Sequence, residues 1–191
     1  MMTPTKFKPV ILKNVCSKTY LDMFMHMIPS VELWENKDEH DVNYKKINLV
    51  KLNIVTHGKF DNPMLGGIAI GLLSQIYDAG GKDYITPEMH FCAVSQKDSS
   101  TPTNFHTDNW GEGRLKVLGI LNSNWSGEKD GGGFICDGVP YKLEPTDFLI
   151  FDSNQTHSNN IITSDKKRIA IDYMLTARRL YKYITLKRSW L

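Results

Sequence analysis

A chain of 191 residues, 41% hydrophobic and 23% charged, has the size and composition of one globular domain with a proper core. Its net charge of +2 is too small to imply a nucleic-acid partner, and no apolar run approaches the roughly 20 residues a membrane helix needs. The three cysteines, Cys16, Cys92 and Cys136, are too widely spaced for a zinc pair and odd in number for a disulfide framework, so they read as buried small side chains in a reducing compartment.

Lys8, Lys13 and Lys18 interrupt the apolar stretches of the first residues, so no signal-peptide core forms and a cytoplasmic location is expected. Val10 to Val15 is a short apolar run. Ser17 is placed to cap a helix through about Met27, ended near Pro29. Val31 to Trp34 reads as a strand and Lys37 to His40 as a charged loop. Asn62 before Pro63 marks a second helix start, with Leu65, Ile68, Leu72, Leu73 and Ile76 at helical spacing and Gly80-Gly81 as the stop. Gly66, Gly67 and Gly71 weaken this helix and could permit close packing against a sheet. No Gly-Lys-Ser/Thr follows them, so a phosphate-cradling loop is not supported.

From Tyr84 the texture changes to short strands: Glu88–Val94, Phe105–Trp110, Leu115–Asn122, Gly133–Val139, Val139–Leu143, Asp147–Phe151, Asn159–Thr163 and Arg168–Leu175. Turn compositions separate them, at Gly111-Glu112-Gly113, Gly127 to Gly133, Glu144-Pro145 and Ser164 to Lys167. Strands at this spacing predict a mainly β fold, a jelly-roll barrel, with helices of the N-terminal half covering one sheet. The chain divides as one domain: N-terminal helical support over about 1–83, a barrel core over about 84–176, and a basic, aromatic tail over 177–191. The tail reads as docking on the barrel with a solvated basic face, or as a surface for an acidic partner or nucleic acid.

The chemistry lies in Asn104-Phe105-His106-Thr107-Asp108, followed by His157 forty-nine residues after Asp108 and Arg168 eleven further on. On a strand, His106 and Asp108 at i and i+2 project from one face and could both reach one ion. Two imidazoles and a carboxylate hold non-haem Fe(II) while leaving positions open opposite them. A guanidinium offers two parallel donors to a carboxylate and keeps its charge. Arg168 opens the apolar stretch Ile169-Ala170-Ile171, which favours it over Lys166 and Lys167 as the inward cation.

This ordered set resembles the 2-oxoglutarate- and Fe(II)-dependent oxygenases, most closely their prolyl-4-hydroxylase-like branch. The resemblance covers roughly residues 84–176 and extends to Leu118-Gly119-Ile120-Leu121-Asn122, Gly131-Gly132-Gly133-Phe134 and Asp147-Phe148-Leu149-Ile150-Phe151. It implies a double-stranded β-helix (jelly-roll, cupin-like) fold. It also implies Fe(II) held by His106, Asp108 and His157, with 2-oxoglutarate as cosubstrate, dioxygen as oxidant and ascorbate as reductant. The expected reaction is hydroxylation of a C–H bond with release of succinate and carbon dioxide. Arg168 would take the far (C5) carboxylate, and Asn109 and Trp110 would line the substrate mouth.

There are departures. Collagen-type prolyl hydroxylases carry Lys where this chain has Arg168, and many relatives with Arg have Ser or Thr where Ala170 stands; Ser95 is one candidate for the missing hydroxyl. The Gln96 to Thr103 loop could act as a lid, and His90 reads as a hydrogen-bonded core residue rather than a ligand. The expected substrate is a prolyl or other residue of a peptide or protein, with a free amino acid or small metabolite as the alternative. Nucleic-acid demethylases of the AlkB kind carry a second Arg where this chain has Met174. A non-catalytic β-barrel holding zinc or nickel is the reading from a different class. Oligomeric state is not encoded in any feature of the sequence.

Overall fold

Strands whose residues alternate between two faces bury both faces by lying between layers. The computed structural model, which describes residues 7–29, 35–36, 50–101, 103–108 and 110–178, shows this arrangement. In chain order the elements are β1 (Val10–Leu12), α1 (Lys18–Met27), β2 (Glu35–Asn36), β3 (Val50–Thr56), β4 (Lys59–Phe60) and α2 (Pro63–Asp78). A 3₁₀ turn (Gly81–Asp83) leads to β5 (Ile85–Lys97), β6 (Arg114–Ile120), β7 (Phe134–Cys136), β8 (Val139–Tyr141), β9 (Phe148–Asp152), β10 (His157–Asn159) and β11 (Arg168–Ala177). A major antiparallel sheet runs β1-β9-β6-β11-β5-β3-β2, with β4 hairpinned onto β3, and a minor sheet runs β10-β7-β8. This is the jelly-roll double-stranded β-helix.

The helices form where their caps dictate. Ser17 Oγ accepts from the Tyr20 amide and Asn62 Oδ1 from the Leu65 amide, both at 3.1 Å, and Pro63 occupies a position whose N–H would have no partner. Gly80, at φ +115°, ends the second helix. Leu65, Ala69, Leu72 and Ile76 of α2 join Val117, Phe148, Ile150, Ile171, Tyr173 and Leu175 of the major sheet in one buried cluster. Tyr173 anchors the contact by donating its hydroxyl to the Ala69 carbonyl at 3.0 Å. The glycines of α2 allow close approach, though to α1 and the β3–β4 hairpin rather than to a sheet face: a Cβ on Gly71 would lie 2.8 Å from the Tyr20 hydroxyl, and one on Gly66 would run into the Phe60 ring. Gly119 has a firmer requirement. It sits opposite Phe148 across β6 and β9, and any Cβ there would penetrate the Phe148 ring.

The other face of the major sheet looks into the barrel. Ile120, Leu149 and Phe151 meet Trp125, Phe134 and Ile162 in a second cluster, and Phe91, Ala93 and Met174 form a third, against which Trp110 lies.

Several sequence expectations change. Phe105–Trp110 is not a strand; one isolated bridge, His106 to His157, ties it to the minor sheet. Asn159–Thr163 begins its pairing earlier, as β10 at His157. Strand β5 outruns the expected Glu88–Val94 and continues to Lys97, leaving a shorter loop in which Asp98 Oδ1 accepts from the Ser100 amide (2.9 Å) and hydroxyl (2.6 Å). Strand β3 was not anticipated, because a bulge between Asn53 and Val55 breaks its alternation. The Val31–Trp34 strand, the Lys37–His40 loop and the tail from residue 179 lie outside the described residues. None of Cys16, Cys92 and Cys136 forms a disulfide.

Candidate functional site

The barrel brings together residues that chain order keeps apart. The His106 amide donates to the His157 carbonyl at 3.0 Å and the His157 amide returns the bond to His106 at 2.9 Å, which sets the two rings side by side with centroids 4.4 Å apart. The Asp108 amide donates to the Ser153 carbonyl at 3.0 Å, aiming its carboxylate at the same point. The ligand atoms of His106, Asp108 and His157 all lie within 4.8 Å of one another, close enough to hold one metal ion. His106, Asp108 and His157 do converge, but His106 and Asp108 lie on an irregular segment held by one isolated bridge rather than on a strand.

Ring orientation decides what this cluster can bind. His157 Nδ1 lies 2.8 Å from the Gln155 carbonyl and His106 Nδ1 3.0 Å from the Asn104 carbonyl. A carbonyl only accepts, so each Nδ1 carries a proton, and a ring in its neutral form offers the Nε2 lone pair. His157 Nε2 is buried without a hydrogen bond and points at Asp108 Oδ2, 3.4 Å away. His106 Nε2 stands 3.8 Å from Asp108 Oδ1. Lone pairs converging on a carboxylate repel unless a cation lies among them, and two imidazole nitrogens with one oxygen are a donor set that Fe(II) accepts. Burial also lowers the His106 pKa, outweighing its bond to Asn104, and so favours the neutral ligand form.

Lys116, which the sequence reading passed over, completes this end. Its ammonium lies 2.9 Å from Asp108 Oδ2 and 3.2 Å from Asp172 Oδ2, and all three groups are largely buried. Burial opposes every one of these charges. For Asp108 the opposition is outweighed by Lys116 and the contact with His157, so its carboxyl stays well below the usual range. For Lys116 it is outweighed by Asp172 and Asp108, which hold the ammonium charged. For Asp172 it is outweighed by Lys51 and Lys116. For Asp172 the signal was available: Arg168, Ala170 and Asp172 are i, i+2 and i+4 on one strand, so an acid on the inner face follows from an inward Arg168.

At the other end, Arg168 is 3% exposed. One terminal nitrogen donates to Asn159 Oδ1 at 2.8 Å, the other donates to the Gly132 carbonyl, and Nε has no partner. Gly132 needs its φ of +64° for this, and a Cβ there would come within 3.3 Å of Arg168 Cδ. No carboxylate pairs with this guanidinium among the described residues, and burial pushes its pKa down to about 10. A buried cation without an acid is costly, and donors left over at its edge suit an incoming carboxylate. Arg168 on β11 and His157 on β10 project from opposite sheets. Ser95 stands directly across from Ala170 on the same inner face.

Other residues fall elsewhere. Trp110 tilts against Phe91 with ring centroids 5.8 Å apart, and Asn109 lies outside the described residues. His90 shares a 2.7 Å hydrogen bond with Thr176 Oγ1, as a core histidine would. Lys166 turns outward to Asp130 at 2.9 Å.

This architecture is the fold of the 2-oxoglutarate- and Fe(II)-dependent oxygenases, prolyl-4-hydroxylases among them. A prolyl-4-hydroxylase from Pseudomonas putida matches 90% of this chain and 94% of its own, with TM-score 0.60 at 13% identity. A prolyl hydroxylase from Trichoplax adhaerens, solved with a hypoxia inducible factor oxygen degradation domain peptide fragment, matches 90% of this chain and 84% of its own, with TM-score 0.59 at 21% identity. HygX from Streptomyces hygroscopicus, solved with nickel and 2-oxoglutarate, matches 89% and 83%, with TM-score 0.61 at 11% identity. No protein-family model and no curated protein matches the sequence. No helix among the described residues is long and apolar enough to cross a membrane.

Proposed function

We propose that the protein is a 2-oxoglutarate- and Fe(II)-dependent dioxygenase that hydroxylates a C–H bond of a peptide or protein, with prolyl the first residue to test. One observation carries this reading. A cluster of two imidazoles and a carboxylate shares one barrel with a buried Arg168 on the facing sheet, and no carboxylate among the described residues pairs with that guanidinium. Separate metal and carboxylate receptors are what a short keto-diacid needs at its two ends.

Iron bound at the cluster supplies dioxygen activation coupled to oxidative decarboxylation of 2-oxoglutarate. His106, Asp108 and His157 would hold that metal through Nε2, carboxylate oxygen and Nε2. Lys116 orients Asp108 by occupying one of its oxygens. Arg168, oriented by Asn159 and Gly132, takes the C5 carboxylate, and Ser95 adds a hydroxyl beside Ala170. Trp110, which lies against Phe91, would line the substrate mouth. The Trichoplax enzyme's peptide complex supports a peptide substrate here. A second reading, a small-molecule substrate, draws on similarity to the carbocyclase SnoK of nogalamycin biosynthesis, with TM-score 0.64 at 14% identity.

The test is succinate formation from 2-oxoglutarate under air with Fe(II) and ascorbate. Turnover should vanish in His106→Ala and fall in Arg168→Ala mainly through a higher KM for 2-oxoglutarate. Stimulation by proline-containing peptides selects the first reading, and stimulation by free amino acids the second. If 2-oxoglutarate neither turns over nor perturbs the anaerobic Fe(II) spectrum, the oxygenase reading is wrong.

A further inference from the structure

Strand β5 ends in a lysine that lies outside the His106–Asp108–His157 cluster and its ion pairs. Lys97 is the direct antiparallel partner of Arg168 on β11, so the two cationic side chains share the inner face. Like charges directly opposite one another destabilise a sheet, and more so away from solvent. The charged groups that face Lys97 are Arg168 and Asp172 from β11, Lys116 from β6 and Lys51 from β3. The one acid among them, Asp172, is engaged by Lys116 at 3.2 Å. Among the described residues the Lys97 ammonium has no hydrogen-bond or ion-pair partner. Two cations set side by side without an acid call for an anion between them.

We propose that Lys97 is the second cation of the cosubstrate site, clamping the far carboxylate of 2-oxoglutarate together with Arg168. The inference rests on the oxygenase reading and adds to it a residue and a signature. A carboxylate oxygen accepts more than one hydrogen bond, so a forked guanidinium and a single ammonium can serve the same group without competing. Without the anion, burial, then Arg168 and Lys116, lower the Lys97 pKa to about 7. The bound carboxylate restores its charge. Binding above neutral pH therefore takes up a proton, and affinity is full below about pH 7 and falls by up to about tenfold per pH unit above it.

The experiment is calorimetric titration of 2-oxoglutarate into the Mn(II)-loaded full chain. It is run at pH 6 and pH 8, each in two buffers of different ionisation enthalpy. Wild type should take up about one proton per site at pH 8 and little at pH 6. Lys97→Met should bind roughly ten- to a hundredfold more weakly and take up none. Lys97→Arg should keep its affinity within a few-fold and also take up none, because a guanidinium does not titrate there. Wild-type binding at pH 8 without proton uptake overturns the proposal, as does wild-type affinity in Lys97→Met. The first of these needs no variant to fold. If 2-oxoglutarate fails to bind the wild type at all, the oxygenase reading falls and takes this proposal with it.

Discussion

On the outer face of β11, Ile169, Ile171, Tyr173 and Leu175 meet the helical layer in a single apolar cluster. On its inner face, one residue out of step, stand Arg168 and Asp172, and the surrounding strands add Lys51, Lys97 and Lys116. The outer side chains gain by leaving water, on the order of 1.5–3 kcal/mol for each large one fully buried. The inner ones lose solvation to the extent that they are buried and recover it where a partner is present, as Lys116 does between Asp108 and Asp172; Lys97, half-buried, has no such partner among the described residues. The difference teaches that one strand carries two kinds of residue, those that hold the barrel closed and those whose partner has yet to arrive.

Substitutions on the two faces separate these roles. Lys116→Met removes the cation between buried Asp108 and Asp172, leaving only Lys51 to face Asp172, and should destabilise the fold by about 3–5 kcal/mol in urea unfolding while weakening Mn(II) binding of the molecules that remain folded. Phe148→Ala, on the outer face, should be comparably destabilising, about 3–5 kcal/mol, but leave Mn(II) affinity of the folded fraction unchanged. An equal effect of both on metal affinity would erase the distinction. Gly119→Ala forces a methyl into the Phe148 ring and should cost about 1–3 kcal/mol, read as a lower thermal midpoint with normal cosubstrate affinity.

The smallest effect has the opposite sign. The Lys97 pKa is depressed in the folded protein, so between about pH 7 and its ordinary value near 10.5 the unfolded chain binds more protons and stability rises with pH. The ligand-free wild type should gain up to about 1.4 kcal/mol per pH unit across that window from this group. Lys97→Met should lose that slope and be the more stable protein at pH 7, although it binds 2-oxoglutarate worse. A slope unchanged by the substitution would mean the lysine is well solvated.

What the sequence made legible follows the same division. The outer face and the helices that cover it announce themselves by period and by caps, and Ser17, Asn62 and Pro63 lie where helix chemistry puts them. The candidate metal cluster was legible because its residue types are rare in combination. Lys116 and Lys97 were not, since a lysine in a strand usually faces water, and only the register of β6 and β5 against β11 turns them inward. Strand β3 was hidden for a related reason: Lys51 and Asn53 put polar residues on a face that looks into the barrel, and the bulge at Ile54 spoils the alternation.

The reciprocal amide bonds between His106 and His157 carry one more consequence. They fasten the motif segment to the minor sheet with main-chain atoms alone, so the ligand-bearing backbones hold their spacing before any ion arrives. Metal loading should then resemble filling a rigid chelator rather than ordering a loop. The slow-exchanging amide hydrogens of these two residues would already be protected in metal-free protein, and the ion would add little to them.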